Sequence, residues 1–320
     1  MSINNTIKEE IFQSKITSVC CKKAFLAGVI LGAGSLPIEH GGLGLMIQHT
    51  SKELIQKCAA ILLQLTDTEP EIIKKEKEMS LGQRTVYEIH LPPETASPLL
   101  AELGILDPPY GIHETASQDI VAASCCKKSF LQGVFCAAGS LTISNDCETT
   151  NTKGYNLDIV LCSQKSAHFT AELMNSLGIA PGLRAKKNNY SVYLKDSEKI
   201  GDFCITIGAN SALFKLNNIV ASRSLRNDAN RRTNCEVANI DKTLSASAKH
   251  IEAIAFIEKK AGLNYLDDAL RDTAKARRAH PEATLNELTK LLRYPTSKSG
   301  LNHRLRKLIQ IANELGGNHD

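Results

Sequence analysis

The sequence lacks the features that mark a membrane or exported protein. Across its 320 residues, no apolar run reaches the ~18 residues that a membrane-spanning helix needs. The first fifteen residues, MSINNTIKEEIFQSK, are polar and of mixed charge, whereas a signal peptide has a basic segment followed by an apolar core. We therefore expect a cytoplasmic protein without a membrane partner.

The spacing of the ten cysteines lacks the pattern of a metal or disulfide framework. No CxxC motif occurs, and Cys20-Cys21 and Cys125-Cys126 are adjacent residues, which cannot both face one ion from one face of a helix. Other cysteines lie inside apolar stretches: Cys58, Cys136, Cys162 and Cys204. Because reduced cysteine behaves as a small apolar residue, buried thiols are favoured over a metal site. The sequence predicts neither a metal nor a cofactor.

One stretch of the sequence occurs twice. CCKKAFLAGVILGAGSL spans Cys20–Leu36, and CCKKSFLQGVFCAAGSL spans Cys125–Leu141. Apolar residues at helical spacing, ended by Gly-Ser, predict a helix in each copy. Small residues recur every four positions on one face of each helix: Ala24, Gly28, Gly32 and Ser129, Gly133, Ala137. Glycine inside a helix costs about 1 kcal/mol against alanine, so we infer that the two helices pack closely along this seam, across a pseudo-two-fold axis.

The segments around the two predicted helices follow one order. The residue pattern of each unit predicts a helix, two strands, an amphipathic helix, two strands and a closing helix. Two such units give a mixed α+β domain over residues 1–209, with repeats at about 15–108 and 118–209. Residues 210–236, rich in arginine and asparagine, form either a linker or a polar helix. Residues 237–320 predict helices alone.

The C-terminal segment has the pattern of a helix-turn-helix. Thr284–Leu292 predicts a short helix, and Pro295 places a turn after it because proline cannot continue a helix. Ser297 or Ser299 caps the following helix. In helix-turn-helix proteins, the second helix enters the DNA major groove with its N-terminal residues against base edges.

The charge distribution agrees with this interpretation. The net charge is +4, the basic excess lies in the C-terminal third, and no acidic residue occurs between Glu287 and Glu314. Asn302 is the candidate reader of adenine, since its amide offers a paired donor and acceptor. The other candidates for DNA contact are polar or basic: Ser297, Lys298, Ser299, His303, Arg304, Arg306 and Lys307. A solvated helical hairpin with a basic face is the alternative.

Two resemblances meet in this chain. Leu26–Gly34 (LAGVILGAG) and Leu131–Gly139 (LQGVFCAAG) resemble the signature helices of LAGLIDADG homing endonucleases, which pack at a pseudo-dyad while their sheets straddle DNA. Three C-terminal segments resemble the WhiA family: Asn230–Thr243, His280–Leu292 and Ser297–Leu308. That resemblance implies a bacterial DNA-binding regulator linked to cell division and sporulation, built from a LAGLIDADG-like domain joined to a helix-turn-helix.

The sequence departs from the endonucleases at the positions of their catalytic acids. An endonuclease of this kind needs an acidic residue near the end of each signature helix to hold divalent ions, and the matching residues here are Ala33 and Ala138. The resemblance therefore implies a non-catalytic, sequence-specific protein that binds double-stranded DNA at the nucleoid. It would regulate transcription in cell division, chromosome segregation or sporulation.

Two alternatives to this interpretation remain. One is an active endonuclease with other ligands, of which Glu39 and Asp146 are the nearest candidates. The other is an N-terminal domain that serves as a platform for another regulatory protein. The predicted strands also carry basic residues interleaved with glutamates, so they form either a DNA surface or a solvated face: Lys74, Lys75, Lys77, Arg84, Arg184, Lys186 and Lys187.

Overall fold

A computed structural model of the protein describes residues 2–40, 42–79, 82–107, 111–143 and 154–316. The chain divides into two compact units, Met1–Ala221 and Ser222–Asp320. The division falls at Ala221, later in the chain than the boundary at residue 209 that the sequence predicts. Each unit has a separate apolar core.

The first unit contains two copies of one arrangement of helices and strands. Helix α1 (Ile3–Gln13) precedes them. The first copy consists of α2 (Val19–Ala33), β1 (Gly34–Ser35), β2 (Ile38–Glu39), β3 (Gly42–Leu43), β4 (Leu45–His49), α3 (Lys52–Thr66), β5 (Ile72–Met79), β6 (Gly82–Leu91) and α4 (Pro93–Glu102). Two short strands follow it, β7 (Leu106–Asp107) and β8 (Gly111–Ile112).

The second copy repeats the main elements of the first. After a 3-10 turn at Gln118–Val121 it consists of α5 (Ser124–Ala138), β9 (Gly139–Ile143), β10 (Tyr155–Leu161), α6 (Gln164–Ser176), β11 (Gly182–Lys186), β12 (Asn189–Leu194) and α7 (Ser197–Ile207). The strand orders are β1-β4-β6-β5 and β9-β10-β12-β11, and all pairs in both sheets are antiparallel. Both sheets therefore have the same topology, which the internal repeat predicts.

The core of the first unit lies between the repeated helices and one face of each sheet. Successive side chains of a strand point to opposite faces. Leu45 and Ile47 of β4 are buried against α2, and Leu157 and Ile159 of β10 are buried in the second copy. Helix α2 is apolar nearly all round and buried over most of its length, as expected for a helix inside a core.

Helices α2 and α5 approach each other through backbone atoms. A Cβ atom added at Gly28 would lie closer than 3.0 Å to the carbonyl oxygen of Phe130, and one added at Gly133 would lie as close to that of Phe25. A Cβ atom added at Gly32 would lie 2.8 Å from the methyl carbon of Ala137. These contacts leave no room for a side chain at any of the three glycines.

The interpretation of the adjacent cysteines was wrong in its geometry. Cys20, Cys21, Cys125 and Cys126 lie in the first turns of α2 and α5, and their four Sγ atoms are all within 4.8 Å of one another. The spacing of residues within one helix does not reveal a contact with a second helix. Two helix ends that meet bring together side chains that one helix would separate.

The described residues of the second unit form helices and the turns between them, without a strand. Helix α8 (Asn210–Ala261) begins in the first unit and includes residues 210–236, so that segment is helix. A 3-10 turn at Leu263–Tyr265 follows. Three further helices complete the unit: α9 (Asp268–Ala279), α10 (Leu285–Leu291) and α11 (Lys298–Glu314).

Replacing Gly133 with alanine tests the backbone contact. Alanine has the higher helix propensity by about 1 kcal/mol, so an unconstrained helix would gain stability. We expect the free energy of unfolding to fall instead, by about 1–3 kcal/mol, because the new methyl group collides with the backbone of α2. Denaturant unfolding measures this. Gly154→Ala is the control, since no described residue lies within 4 Å of a Cβ there; equal effects of the two variants would contradict the close approach.

Candidate nucleic-acid interface

Helices α10 and α11 form a helix-turn-helix on a leucine core. Thr284 and Glu287 form a capping box at the start of α10, and the Ser297 hydroxyl accepts a hydrogen bond of 3.1 Å from the Gly300 N–H at the start of α11. Ser297, rather than Ser299, is therefore the cap. The core side chains of the two helices are fully or almost fully buried: Leu288, Leu292, Leu301, Leu305 and Leu308.

The turn between the two helices is fixed by side chains from both sides. The Tyr294 N–H donates to an Asp272 carboxylate oxygen of α9 at 3.1 Å, and Arg304 Nη1 of α11 donates to the Tyr294 carbonyl at 2.9 Å. Arg304 was predicted as a DNA contact, and the structure gives its guanidinium this bond within the turn. The pair holds the angle at which α11 leaves α10.

A buried arginine organises the segment before α10. Arg277 is 2% exposed, and its Nη1 lies 2.7 Å from the carbonyl oxygen of Ala283 and 3.3 Å from that of Pro281. Burial lowers the pKa of Arg277, although the group stays charged at neutral pH. The loop from α9 to α10 thus closes around one guanidinium, and this loop sets where α10 begins.

The outward side of α11 carries polar and basic side chains. Ser299, His303 and Lys307 are spaced by four residues and are exposed, so they form one line along the helix. Lys298 and Arg306 are exposed beside that line. Asn302 is half-buried on the flank of α11. No salt bridge joins a cation of α11 to an acid in the described part of the chain.

Asn302 and Arg306 border a pocket of about 410 Å³ between α11 and α8. Its charged lining is cationic, with Lys242, Lys249 and Arg277 beside Arg306, and none of the described residues that line it is acidic. Sequence reasoning missed the two lysines because they lie far from the helix-turn-helix in the chain. They extend its basic surface onto α8.

His250, which also lines this pocket, is neutral in the folded protein at physiological pH. Burial and the charge of Arg277 lower its pKa from 6.5 to about 4. Its Nδ1 has no hydrogen-bond partner among the described residues. The positive potential of the pocket therefore comes from lysine and arginine and does not depend on this imidazole.

The sheets of the first unit use their basic residues differently. Glu88 and Asp158 are each 5% exposed, on the faces turned away from the helices. Lys75 lies 2.7 Å from a Glu88 oxygen, and Arg184 lies 2.8 Å from an Asp158 oxygen. Lys186 is 3.7 Å from the same carboxylate. Each sheet thus neutralises part of its cationic face with a buried acid, which sequence reasoning had not identified.

The ends of α2 and α5 bring together no set of metal-ligating acids in the described residues. Ala33 and Ala138 are half-buried where the two helices end. Glu39 pairs with His90, with Oε1 2.5 Å from Nε2, and Asp146 lies outside the described residues. Among the described residues, the one group of three or more potential metal ligands is the cysteine cluster at the opposite ends of these helices.

Comparison with known proteins identifies the family. The WhiA N-terminal LAGLIDADG-like domain matches residues 19–106, the WhiA LAGLIDADG-like domain matches residues 127–226, and the WhiA C-terminal HTH domain matches residues 229–312. The chain belongs to the WhiA family. The resemblance stated from the sequence and the predicted fold class are thereby confirmed: a pseudo-two-fold LAGLIDADG-like domain followed by a helical helix-turn-helix domain.

Relatives of similar length support this membership. "Probable cell division protein WhiA" of Caldicellulosiruptor saccharolyticus is 36% identical over 98% of this chain and 96% of its own, and the protein of that name from Halalkalibacterium halodurans is 35% identical over the same shares. Full-length DUF199/WhiA from Thermatoga maritima has the same fold, with a TM-score of 0.56 at 22% identity, over 99% of this chain and all of that one. Within the described residues, no helix of this WhiA-family protein is long and apolar enough to cross a membrane.

Neighbouring arginines provide a matched test of the buried one. Arg277→Ala leaves buried carbonyl groups without a donor, so we expect the free energy of unfolding of the C-terminal unit to fall by at least about 2 kcal/mol. Arg278→Ala removes a half-exposed ion pair with Glu258 and should cost under about 1 kcal/mol. Hydrogen exchange of α9–α11 in the full chain measures both. A loss for Arg277 no larger than for Arg278 would contradict its assigned role.

Proposed function

We propose that this WhiA-family protein is a sequence-specific regulator that binds double-stranded DNA through α11. The proposal rests on the outward side of α11, whose basic side chains have no carboxylate partner among the described residues. The turn before α11 fixes the position of this helix. DNA phosphates attract such a surface, and a helix of this kind fits the major groove. The WhiA C-terminal HTH domain match supports the same conclusion.

The residues of α11 divide by position into two roles. Ser299, Asn302 and His303 lie in its N-terminal half, which faces base edges when a recognition helix enters the groove. The side chains that contact phosphate are Ser297, Lys298, Arg306 and Lys307. Arg304 supports the turn through the Tyr294 carbonyl and contacts DNA with the remaining face of its guanidinium.

The LAGLIDADG-like unit acts without cleaving DNA. Ala33 and Ala138 supply no ligand for the divalent ions that hydrolysis of a phosphodiester requires, and Glu39 is engaged by His90. Its sheets also pair Lys75 and Arg184 with buried acids, which reduces their attraction for phosphate. This unit is then available to another regulatory protein.

The relatives named for cell division point to the process. We infer that the protein regulates transcription at the nucleoid during cell division, chromosome segregation or sporulation, as a cytoplasmic protein on DNA. Mapping of bound chromosomal sites in cells tests this inference. Sites near division or segregation genes support it, and uniform coverage of the chromosome contradicts it.

Two substitutions in α11 separate base reading from phosphate contact. Asn302→Ala should weaken binding to the preferred sequence by about 1–3 kcal/mol and leave random DNA unaffected, because it removes a base contact. Lys307→Ala should weaken binding to both and lower the slope of log K against log salt by about 1. Fluorescence anisotropy with the two duplexes over a salt series measures both.

A charge-matched control for these variants is Lys259→Ala, an exposed lysine at the end of α8. It should leave the salt slope and the sequence preference unchanged. If Lys259→Ala and Lys307→Ala have equal effects, binding reflects total charge alone, and the assignment of α11 is wrong.

Incubation with divalent ions tests the absence of catalysis. A supercoiled plasmid carrying the preferred sequence should stay uncut with Mg²⁺ or Mn²⁺, since the ends of α2 and α5 carry alanine. Gel electrophoresis after prolonged incubation detects nicks. Nicking that disappears in Glu39→Gln would restore the endonuclease alternative.

A further inference from the structure

Four thiols meet where the repeated helices begin. The Sγ atoms of Cys20, Cys21, Cys125 and Cys126 lie within 4.8 Å of one another, and those of Cys125 and Cys126 are 4.0 Å apart. A zinc ion with four thiolates at about 2.3 Å requires sulfur–sulfur separations of about 3.8 Å in a tetrahedron. Small side-chain movements therefore convert this cluster into a complete ligand set.

We propose that these four cysteines form a structural Zn²⁺ site that joins the two LAGLIDADG-like repeats. Two ligands come from each repeat, so the ion would lie between the pseudo-symmetric halves. Four-coordinate sulfur sites in proteins are typical of zinc or iron–sulfur clusters. The four sulfur atoms are close enough to surround a single ion and leave no space for the bridging sulfide of an iron–sulfur cluster. This spacing favours zinc.

The surroundings of the cluster suit thiolates. Both cysteine pairs lie in first helical turns, where the partial positive charge of the helix end stabilises an anion. Lys22 and Lys23 follow the first pair in the sequence, and Lys127 and Lys128 follow the second.

The exposure of the cysteines allows a metal ion to enter the cluster. Cys20 and Cys125 are exposed, whereas Cys21 and Cys126 are buried. An ion can therefore reach the outer pair first and complete its coordination inward. Binding of Zn²⁺ to four thiols releases up to four protons and involves no change of oxidation state.

This site differs from the metal site of an endonuclease. From Cys20 to Ala33 the helix rises by about 20 Å, so the thiols lie at the opposite end of α2 from the positions of the missing acids. The ion would hold α2 and α5 together at their N-terminal ends, whereas Gly32 and Ala137 meet near their C-terminal ends. It adds a fixed point to the backbone seam and supplies no catalytic group.

Metal analysis of the full chain tests the proposal. Protein prepared under reducing conditions with Zn²⁺, and then passed over a weak chelator, should retain one zinc per chain by mass spectrometry. The double variant Cys20→Ser with Cys125→Ser should retain less than a tenth of that. Cys162→Ser with Cys235→Ser removes two exposed cysteines outside the cluster and should match the wild type. Circular dichroism shows whether each variant is folded.

A strong chelator gives a second measurement on the same proteins. It should lower the Tm of the wild type and of the Cys162/Cys235 variant and leave the Cys20/Cys125 variant unchanged, because structural zinc contributes folding energy. The proposal is overturned if the wild type retains no zinc, if both double variants retain equal amounts, or if iron with acid-labile sulfide is found. A disulfide among these cysteines in the protein as isolated from cells would overturn it as well.

Discussion

The backbone contact between α2 and α5 is the constraint on which the first unit depends. Gly28 and Gly133 let each helix approach the carbonyl groups of the other, at a distance that excludes any side chain. This approach brings the sheets of both repeats onto one core and brings four cysteines together at the helix starts. A larger residue at either glycine would collide with the backbone of the facing helix.

The repeated sequence predicts this arrangement because the spacing of small residues along one helix is enough to identify the contact face. Small residues four apart mark one face of a helix, and two copies of the same face predict that they meet. The same reasoning failed for the cysteine pairs, since it treated one helix at a time. It also could not find Glu88 and Asp158, whose partners lie on other strands, or Arg277, whose partners are carbonyl groups of the loop after α9. Nothing in a single sequence distinguishes a buried charged residue from an exposed one before its partner is known.

The helix-turn-helix was predictable in its elements and less so in its surface. Leucine spacing, Pro295 and a capping serine define the two helices from the sequence. The contributions of Lys242 and Lys249 to the basic surface, and the bond from Arg304 to Tyr294, require the packing of α8, α9 and α11. The two units differ in how they use charge. The sheets pair cations with buried acids, whereas α11 presents cations without acidic partners in the described residues.

The proposed interface predicts that DNA contacts α11 and not the sheets of the repeat unit. A photoreactive amino acid placed at His303 on α11, and in a second protein at Arg84 on β6, tests it directly, since both positions are exposed. Irradiation of each full-length protein bound to a preferred duplex yields a covalent adduct wherever the probe touches DNA. We expect an adduct from position 303 and none from position 84. An adduct from position 84, or the lack of one from position 303, would contradict it.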